Sequence, residues 1–190
     1  AVESINVLNQ VFVDTVRSTG GNNSTRYLMV PGYGASPDGA FNDGFRMPID
    51  TKGNDNRLIV SVHAYTPYSF ALQGSKENGS VAVFDPQSSM STREIDAFMD
   101  GLYNKFIKQR IPVVIGEFGA RDKNSNLQDR INYAAYYTSN ANARGIPCLW
   151  WDNHAFSGEG ENFGLLDRKT NTWVYPEIVA ALSECFQTGG

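Results

Sequence analysis

Residues 111–120, IPVVIGEFGA, place a single carboxylate at the end of an apolar run. The run VVI is β-branched and holds no polar residue, which predicts a strand buried on both faces. Glu117 closes this strand between Gly116 and Gly119. Because an ionised carboxylate costs several kcal/mol to bury unless it is paired or hydrogen-bonded, Glu117 is either a satisfied structural acid or a working one.

The rest of the chain repeats this layout. Besides the Glu117 strand, apolar runs predict strands at residues 27–30, 57–65 and 146–151. Helical spacing predicts helices at residues 4–19 and 127–144, one starting near residues 91–94 and one starting at Pro176. Strands that alternate with helices predict parallel βαβ units of an α/β fold. Polar or aromatic residues follow each strand, and both open α/β sheets and (β/α)8 barrels carry their sites there.

Three local patterns lead to more detailed expectations. The helix at residues 4–19 is expected to bury a stripe formed by Ile5, Leu8, Phe12 and Val16. Residues 91–94, Ser-Thr-Arg-Glu, resemble a capping box and predict a helix start. Residues 33–56, with a short helix near Phe41, and residues 66–90 are predicted to be long loops.

Composition limits the classes of function. The 190 residues fit one globular domain, residues 1–190, and a net charge of -4 with no basic stripe argues against a nucleic-acid partner. No apolar run approaches the roughly 18 residues of a membrane span, and the first residues, AVESINVLNQ, lack a signal pattern, so we expect a soluble chain without membrane association. Cys148 and Cys185 are expected to be free thiols.

The chemistry-bearing residues are few. His63 and Tyr65 stand two apart on one face of the strand at residues 57–65, and Trp150 and Trp151 end the strand at residues 146–151. Two histidines in the chain exclude a three-histidine zinc site, and we expect no metal or cofactor. The sequence has no G-x-S-x-G motif, which argues against acyl transfer. It also has no glycine-rich turn before a helix, which argues against a nucleotide site. A carboxylate among aromatic residues and a histidine suits a glycosidase, which uses a pair of carboxylates.

The motifs RLIVSVHAYTPY, IPVVIGEFGA, GIPCLWWDN and NFGLLDR resemble the C-terminal half of glycoside hydrolase family 5 endoglucanases of clan A, in the branch that acts on β-1,4-glucans and xyloglucan. The resemblance implies a (β/α)8 barrel of which this chain supplies about strands five to eight. It implies that Glu117 is the retaining nucleophile and that His63 and Tyr65 orient the catalytic groups, with Tyr65 near Glu117. Trp151 would stack on the sugar, with Trp150 as the alternative, and Tyr68 would bind substrate.

The family's acid/base glutamate lies in an Asn-Glu-Pro motif, and this sequence has no Asn-Glu dipeptide. A complete barrel takes about 250 residues. We therefore expect a half-barrel that is inactive alone and needs an N-terminal half as a second chain, or that self-associates. Glu159 and Glu161 are the other acids near the expected site, and we interpret them as solvated loop charges.

Several alternatives stay open. The chain could be a non-catalytic half-barrel that binds carbohydrate through Trp151, Tyr68 and Tyr33. It could also belong to an enzyme that cleaves mannan or xylan instead of β-glucan. A polysaccharide-degrading enzyme of this type is expected to be secreted, periplasmic or on the cell surface.

Overall fold

The computed structural model describes residues 1–51, 57–123, 125–158 and 160–187, except for the side chains of residues 185–187. Four strands form a parallel sheet in the order β1 (Leu28–Pro31), β2 (Leu58–His63), β3 (Val113–Phe118) and β4 (Cys148–Trp150). The helices are α1 (Val2–Ser18), α2 (Pro37–Phe41), α3 (Tyr68–Ala71), α4 (Ser89–Lys105), α5 (Leu127–Ala143) and α6 (Pro176–Gln187). The α/β fold expected from the sequence is confirmed.

The chain divides into two compact units, and the first consists of residues Ala1–Ala64 and Asp100–Gly116. In this unit β1 pairs with β2 in parallel, with Leu28 opposite Leu58. The amide of Val60 donates to the carbonyl of Pro112 at 2.9 Å, which places the start of β3 beside β2. A small apolar core packs α1 against these strands and consists of Val13, Leu28, Val30 and Leu58.

The second unit consists of residues Tyr65–Met99 and Glu117–Gly190. The amide of Trp151 donates to the carbonyl of Phe118 at 2.8 Å, which holds the end of β3 beside the end of β4. Aromatic rings fill the interior; Phe118 stacks on Tyr137 with ring centroids 4.4 Å apart. The short hairpin β5 (Leu166–Asp167) and β6 (Thr172–Trp173), which local patterns did not predict, follows the loop after β4. Helices α5 and α6 enclose a second apolar cluster built from Ala134, Leu165, Ile178 and Ala181.

The prediction of which face of α1 is buried is wrong. The helix buries Asn9, Val13 and Arg17, whereas Leu8 and Phe12 are 62% and 42% exposed. Two of the buried residues are polar and have partners: Asn9 donates to the carbonyl of Pro31, and Arg17 pairs with Asp50 at 2.9 Å. A prediction from the spacing of apolar residues alone misses buried polar residues whose hydrogen-bonding groups are satisfied by partners far away in the sequence.

Three smaller expectations also differ from the structure. Strand β3 is not fully buried on both faces: Val113, Ile115 and Phe118 are buried, whereas Val114, Gly116 and Glu117 are half-buried. The helix after residue 88 begins at Ser89 instead of at the capping box, and the Ser91 hydroxyl accepts a hydrogen bond from the amide of Asp85. The segment predicted as a structureless loop at residues 66–90 contains the short helix α3 and the start of α4.

Two expectations about the whole chain concern membranes and thiols. None of the helices in the described part of the chain has the length and apolar character needed to span a bilayer. Cys148 is half-buried in β4, and the side chain of Cys185 lies outside the described residues. The absence of a Cys148–Cys185 disulfide therefore stays a prediction.

Candidate active site

The centre of the candidate site is a hydrogen bond between two residues predicted to act together. Tyr65 donates its hydroxyl to Oε2 of Glu117 at 3.0 Å, across 52 positions of sequence. Both side chains are half-buried in the second unit, and Glu117 lies next to the last residue of β3. Burial, together with the hydrogen bond to Glu117 and the charges of Glu117 and Glu161, raises the pKa of Tyr65 well above its usual value. Tyr65 therefore remains a protonated donor at neutral and mildly alkaline pH.

Phe163, in the loop that follows β4, packs against Tyr65 of this pair. Its ring lies 5.3 Å from the ring of Tyr65, and its backbone amide donates to the side-chain oxygen of Asn153 at 3.3 Å. A Cβ on Gly119 would stand 3.0 Å from the Phe163 ring, which explains the glycine two residues after Glu117. The motif NFGLLDR contains Phe163, but nothing in its local pattern predicts the contact with Tyr65.

The two tryptophans at the end of β4 have different environments. Trp150 is half-buried against the cluster between α5 and α6, and its indole N–H donates to the carbonyl of Phe163 at 2.9 Å. Its ring also meets Phe118 edge-to-face at 5.5 Å. Trp151 is 42% exposed, and its backbone is fixed beside Phe118, the residue that follows Glu117. Trp150 is thus a packing residue, while Trp151 presents an accessible ring on a backbone that is bonded to the end of β3.

Asp152 organises the loop that carries Trp151. Its carboxylate accepts the amides of Leu165 at 3.0 Å, of Leu166 at 3.2 Å and of His154 at 3.2 Å, and it pairs with Arg168 at 3.3 Å. Burial raises the pKa of Asp152, but these amides and Arg168 outweigh that effect and leave the pKa below its usual value. Asp152 is therefore a carboxylate that ties the start of the loop after β4 to its end.

His63 lies in the first unit, where it ends β2 and is half-buried. A Cβ on Gly116 would stand 3.4 Å from His63 Nε2 and 3.2 Å from the hydroxyl of Ser61, so the glycine lets β3 approach this face of β2. Ser61 and His63 lie on one face of the strand. An orienting role of His63 towards Glu117 stays a prediction.

The remaining predicted residues lie on exposed loops and helix ends. Tyr68 begins α3 in the second unit and is 56% exposed, and Tyr33 is exposed in the first unit. Glu161 is exposed, and its charge acts on Tyr65. Glu159 lies outside the described residues. Among the described residues, no cluster of His, Cys, Asp and Glu has an arrangement that could hold a metal ion.

Lys123 is a buried cation that sequence reasoning missed. It is 1% exposed, and its ammonium donates to the carbonyls of Ser69 at 2.5 Å and Val81 at 3.0 Å. Burial and the nearby Arg121 lower the pKa of Lys123 to about 8. One side chain thereby fastens residues 69–81, the segment that includes the end of α3, to the loop that follows Glu117.

Comparison with known proteins identifies the family. Residues 1–157 match the family described as cellulase, glycosyl hydrolase family 5. The chain belongs to glycosyl hydrolase family 5. Endoglucanase B of Neocallimastix patriciarum is 46% identical over 94% of this chain and 35% of that protein.

Solved family-5 structures agree with this assignment. A lichenase from Caldicellulosiruptor sp. F32 is 65% identical, covers 97% of this chain and 49% of its own, and superposes with a TM-score of 0.95. A xyloglucanase from Paenibacillus pabuli is 33% identical, with a TM-score of 0.86 and coverage of 98% and 56%. The family-5 neighbours are TIM barrels, and this chain spans about half of each of these two structures.

Proposed function

We propose that this chain carries the nucleophile and part of the sugar-binding surface of a retaining endo-β-1,4-glucanase that hydrolyses β-glucan or xyloglucan. The observation that carries the proposal is the Tyr65–Glu117 hydrogen bond of 3.0 Å near the end of β3. The exposed ring of Trp151, whose amide bonds to the carbonyl of Phe118, supports the sugar-binding surface. Family membership and the endoglucanase and lichenase relatives support the reaction class. The neighbouring xyloglucanase supports inclusion of xyloglucan among the substrates.

In the proposed mechanism Glu117 attacks the anomeric carbon of the sugar while a second carboxylic acid protonates the leaving oxygen. Water then hydrolyses the glycosyl-enzyme, with the second residue acting as base. Tyr65 orients the Glu117 carboxylate for attack through the hydrogen bond from its hydroxyl to Oε2. Trp151 and Tyr68 offer exposed rings to the apolar faces of sugars, and His63 is proposed as a further orienting residue.

A labelling experiment separates the nucleophile from the acid. An activated 2-deoxy-2-fluoro cellobiosyl fluoride has a leaving group that needs little protonation, so it tests Glu117 without depending on the acid/base residue. We expect a stable mass increase on the peptide that contains Glu117 when this chain is assembled with an N-terminal half, and none in Glu117→Gln. Glu117→Gln should also lower turnover by several orders of magnitude, because covalent catalysis loses its nucleophile. Label on a different carboxylate, or activity of the variant near wild type, would contradict the assignment.

We propose an N-terminal half of the same enzyme as the partner of this chain, with self-association as the alternative. The support is an apolar stripe on α1 of the first unit, Val7, Leu8, Val11 and Phe12, which is between 42% and 62% exposed. Burying the exposed parts of four such side chains contributes roughly 3–6 kcal/mol, comparable with the stability of a small domain.

Light scattering on the purified chain tests this partner. We expect the chain alone to form oligomers and to lack hydrolytic activity, and Leu8→Gln with Phe12→Gln to weaken its association. Val83→Gln, at a residue 65% exposed in the second unit, is the matched control and should leave association unchanged. A monodisperse monomer of 21.0 kDa that cleaves β-glucan would contradict the proposal.

Two other functions make distinct predictions. A carbohydrate-binding half-barrel without catalysis would bind glucan through Trp151 yet show no label on Glu117. A mannanase or xylanase would label Glu117 but prefer mannan or xylan over β-glucan in a comparison of kcat/KM. We further propose that the enzyme acts outside the cytoplasm, because polymeric substrates do not cross membranes; activity confined to cell lysate would oppose this.

A further inference from the structure

The second unit contains an open cleft of about 540 Å³ at the same end of the strands as Glu117. Three segments form it: the turn after α3, the loop after β3 and the loop after β4. This volume falls within the roughly 300–1,000 Å³ that is typical of ligand pockets. The proposed hydrolytic mechanism uses none of the residues that line the cleft.

Hydrogen bonds join the three segments and hold the cleft open. The Arg121 guanidinium donates to the carbonyl of Leu72 at 2.9 Å and to that of Gly160 at 2.5 Å, and its amide donates to Ala71 at 3.0 Å. The amide of Asp122 donates to the carbonyl of Asn162 at 3.2 Å. Because each segment is bonded to another, a ligand would meet walls that need little reordering on binding.

The chemistry of the lining indicates a neutral, polyhydroxylated ligand. Among the described residues of the lining, two cations, Lys76 and Arg121, are balanced by two carboxylates, Glu77 and Asp122. Three serines and the amide of Asn162 add hydrogen-bonding groups of both polarities, and Phe156 supplies one aromatic ring. Anions such as phosphate would meet the two carboxylates, and an apolar ligand would leave these polar groups desolvated. Donors, acceptors and a single ring together suit a sugar.

The cleft adjoins the candidate site along one short segment. Gly158 and Asn162 line the cleft, and Asn162 donates to the carbonyl of Gly158 at 2.8 Å. The next residue, Phe163, lies against Tyr65, whose hydroxyl bonds to Glu117. The adjacent residues Asn162 and Phe163 therefore connect the polar cleft with the Tyr65–Glu117 pair.

We propose that this cleft is an accessory binding site for a neutral β-linked gluco-oligosaccharide, distinct from the position of cleavage. The inference rests on the proposed glucanase function for the choice of sugar. A polymer held at two places on one enzyme has a higher effective concentration at the second, so the cleft would retain polymeric substrate more strongly than short oligomers. Phe156 stacks on a sugar ring in this site, and Lys76 donates to hydroxyl groups.

The test is a titration of the full chain with cellotetraose, followed by NMR chemical shifts. Trp151→Ala disables the proposed cleavage position, and we expect saturable binding to survive in that variant. Adding Phe156→Ala should weaken the remaining binding about tenfold, and adding Lys76→Gln should weaken it about threefold. Lys76→Gln changes an exposed side chain, so it keeps the test decisive if Phe156→Ala fails to fold.

Matched controls lie on and beside the hairpin of β5 and β6 in the same unit. Trp173→Ala removes a half-exposed ring and Lys169→Gln removes an exposed cation, and both should leave the titration unchanged. A galacturonic acid tetramer, which is anionic, should bind at least tenfold more weakly than cellotetraose. Equal binding of the anionic tetramer, or an unchanged affinity in Lys76→Gln and in folded Phe156→Ala, would overturn the proposal.

The outcome separates this inference from the proposed function. Labelling of Glu117 without any binding that depends on Phe156 or Lys76 would overturn the cleft alone. Binding at the cleft without labelling of Glu117 would support the cleft and favour the non-catalytic carbohydrate-binding alternative. Loss of all cellotetraose binding in Trp151→Ala would likewise overturn the cleft as a separate site.

Discussion

Replacing Tyr65 with Phe removes the hydroxyl that holds Glu117 and keeps the ring that packs on Phe163. A hydrogen bond to a charged group contributes about 1.5–3 kcal/mol. If that energy orients the carboxylate for attack, its loss lowers kcat/KM by about 10- to 150-fold. The KM should change little, because the Tyr65 hydroxyl is directed at the carboxylate.

The assay is steady-state hydrolysis of a cello-oligosaccharide by this chain assembled with an N-terminal half, alongside the rate of the first glycosylation step with an activated aryl cellobioside. Both rates should fall in Tyr65→Phe. Tyr136→Phe is the matched control, because Tyr136 also donates to a carboxylate in the second unit, Asp96, at 2.7 Å. Its activity should stay within about threefold of wild type. A folded Tyr65→Phe enzyme with wild-type activity, or an equal loss in Tyr136→Phe, would refute the positioning role of the hydroxyl.

Three further predictions follow from burial in the second unit. Trp150→Ala should lower the free energy of unfolding by about 2–4 kcal/mol, whereas Trp151→Ala should lower it by less than about 1 kcal/mol and should mainly reduce hydrolysis. Denaturant unfolding measures the first effect and steady-state kinetics the second. The reverse pattern would exchange the roles of the two residues. Between pH 8 and 10.5 the unfolded chain binds more protons at Lys123 than the folded chain, because the pKa of Lys123 is lowered in the folded state. Chemical denaturation should therefore show the stability of the wild type rising relative to Lys123→Met by roughly 2 kcal/mol across that window. Parallel curves of stability against pH for the two proteins would contradict the lowered pKa. Thiol titration of the unfolded chain without reductant should find two groups, from Cys148 and Cys185, and a count of zero would mean that they are bridged.

Local patterns predicted the elements whose signals are contained in a few residues. Pro176 starts α6 as expected, and α5 matches its predicted span to within one residue. An apolar run that ends in one charge singled out Glu117 as a candidate acid, whereas its role as nucleophile came from the family resemblance and stays a prediction. The buried face of α1 was missed because Asn9 and Arg17 are buried through partners in the distant residues Pro31 and Asp50.

The sequence by itself thus determined the helices, the strands and the polar residues at the carboxyl ends of the strands. The signals for these features are the periodicity of apolar residues and the positions of proline, and both act over only a few neighbouring residues. Only the tertiary structure decided which residues meet. The hydroxyl of Tyr65 reaches Glu117 across 52 positions, and Lys123 reaches Ser69 across 54. Packing also decided that Trp150 is a core residue and Trp151 an exposed one, although both end the same strand. These contacts depend on how the loops after three different strands close on each other, and no short-range pattern in the sequence encodes that closure.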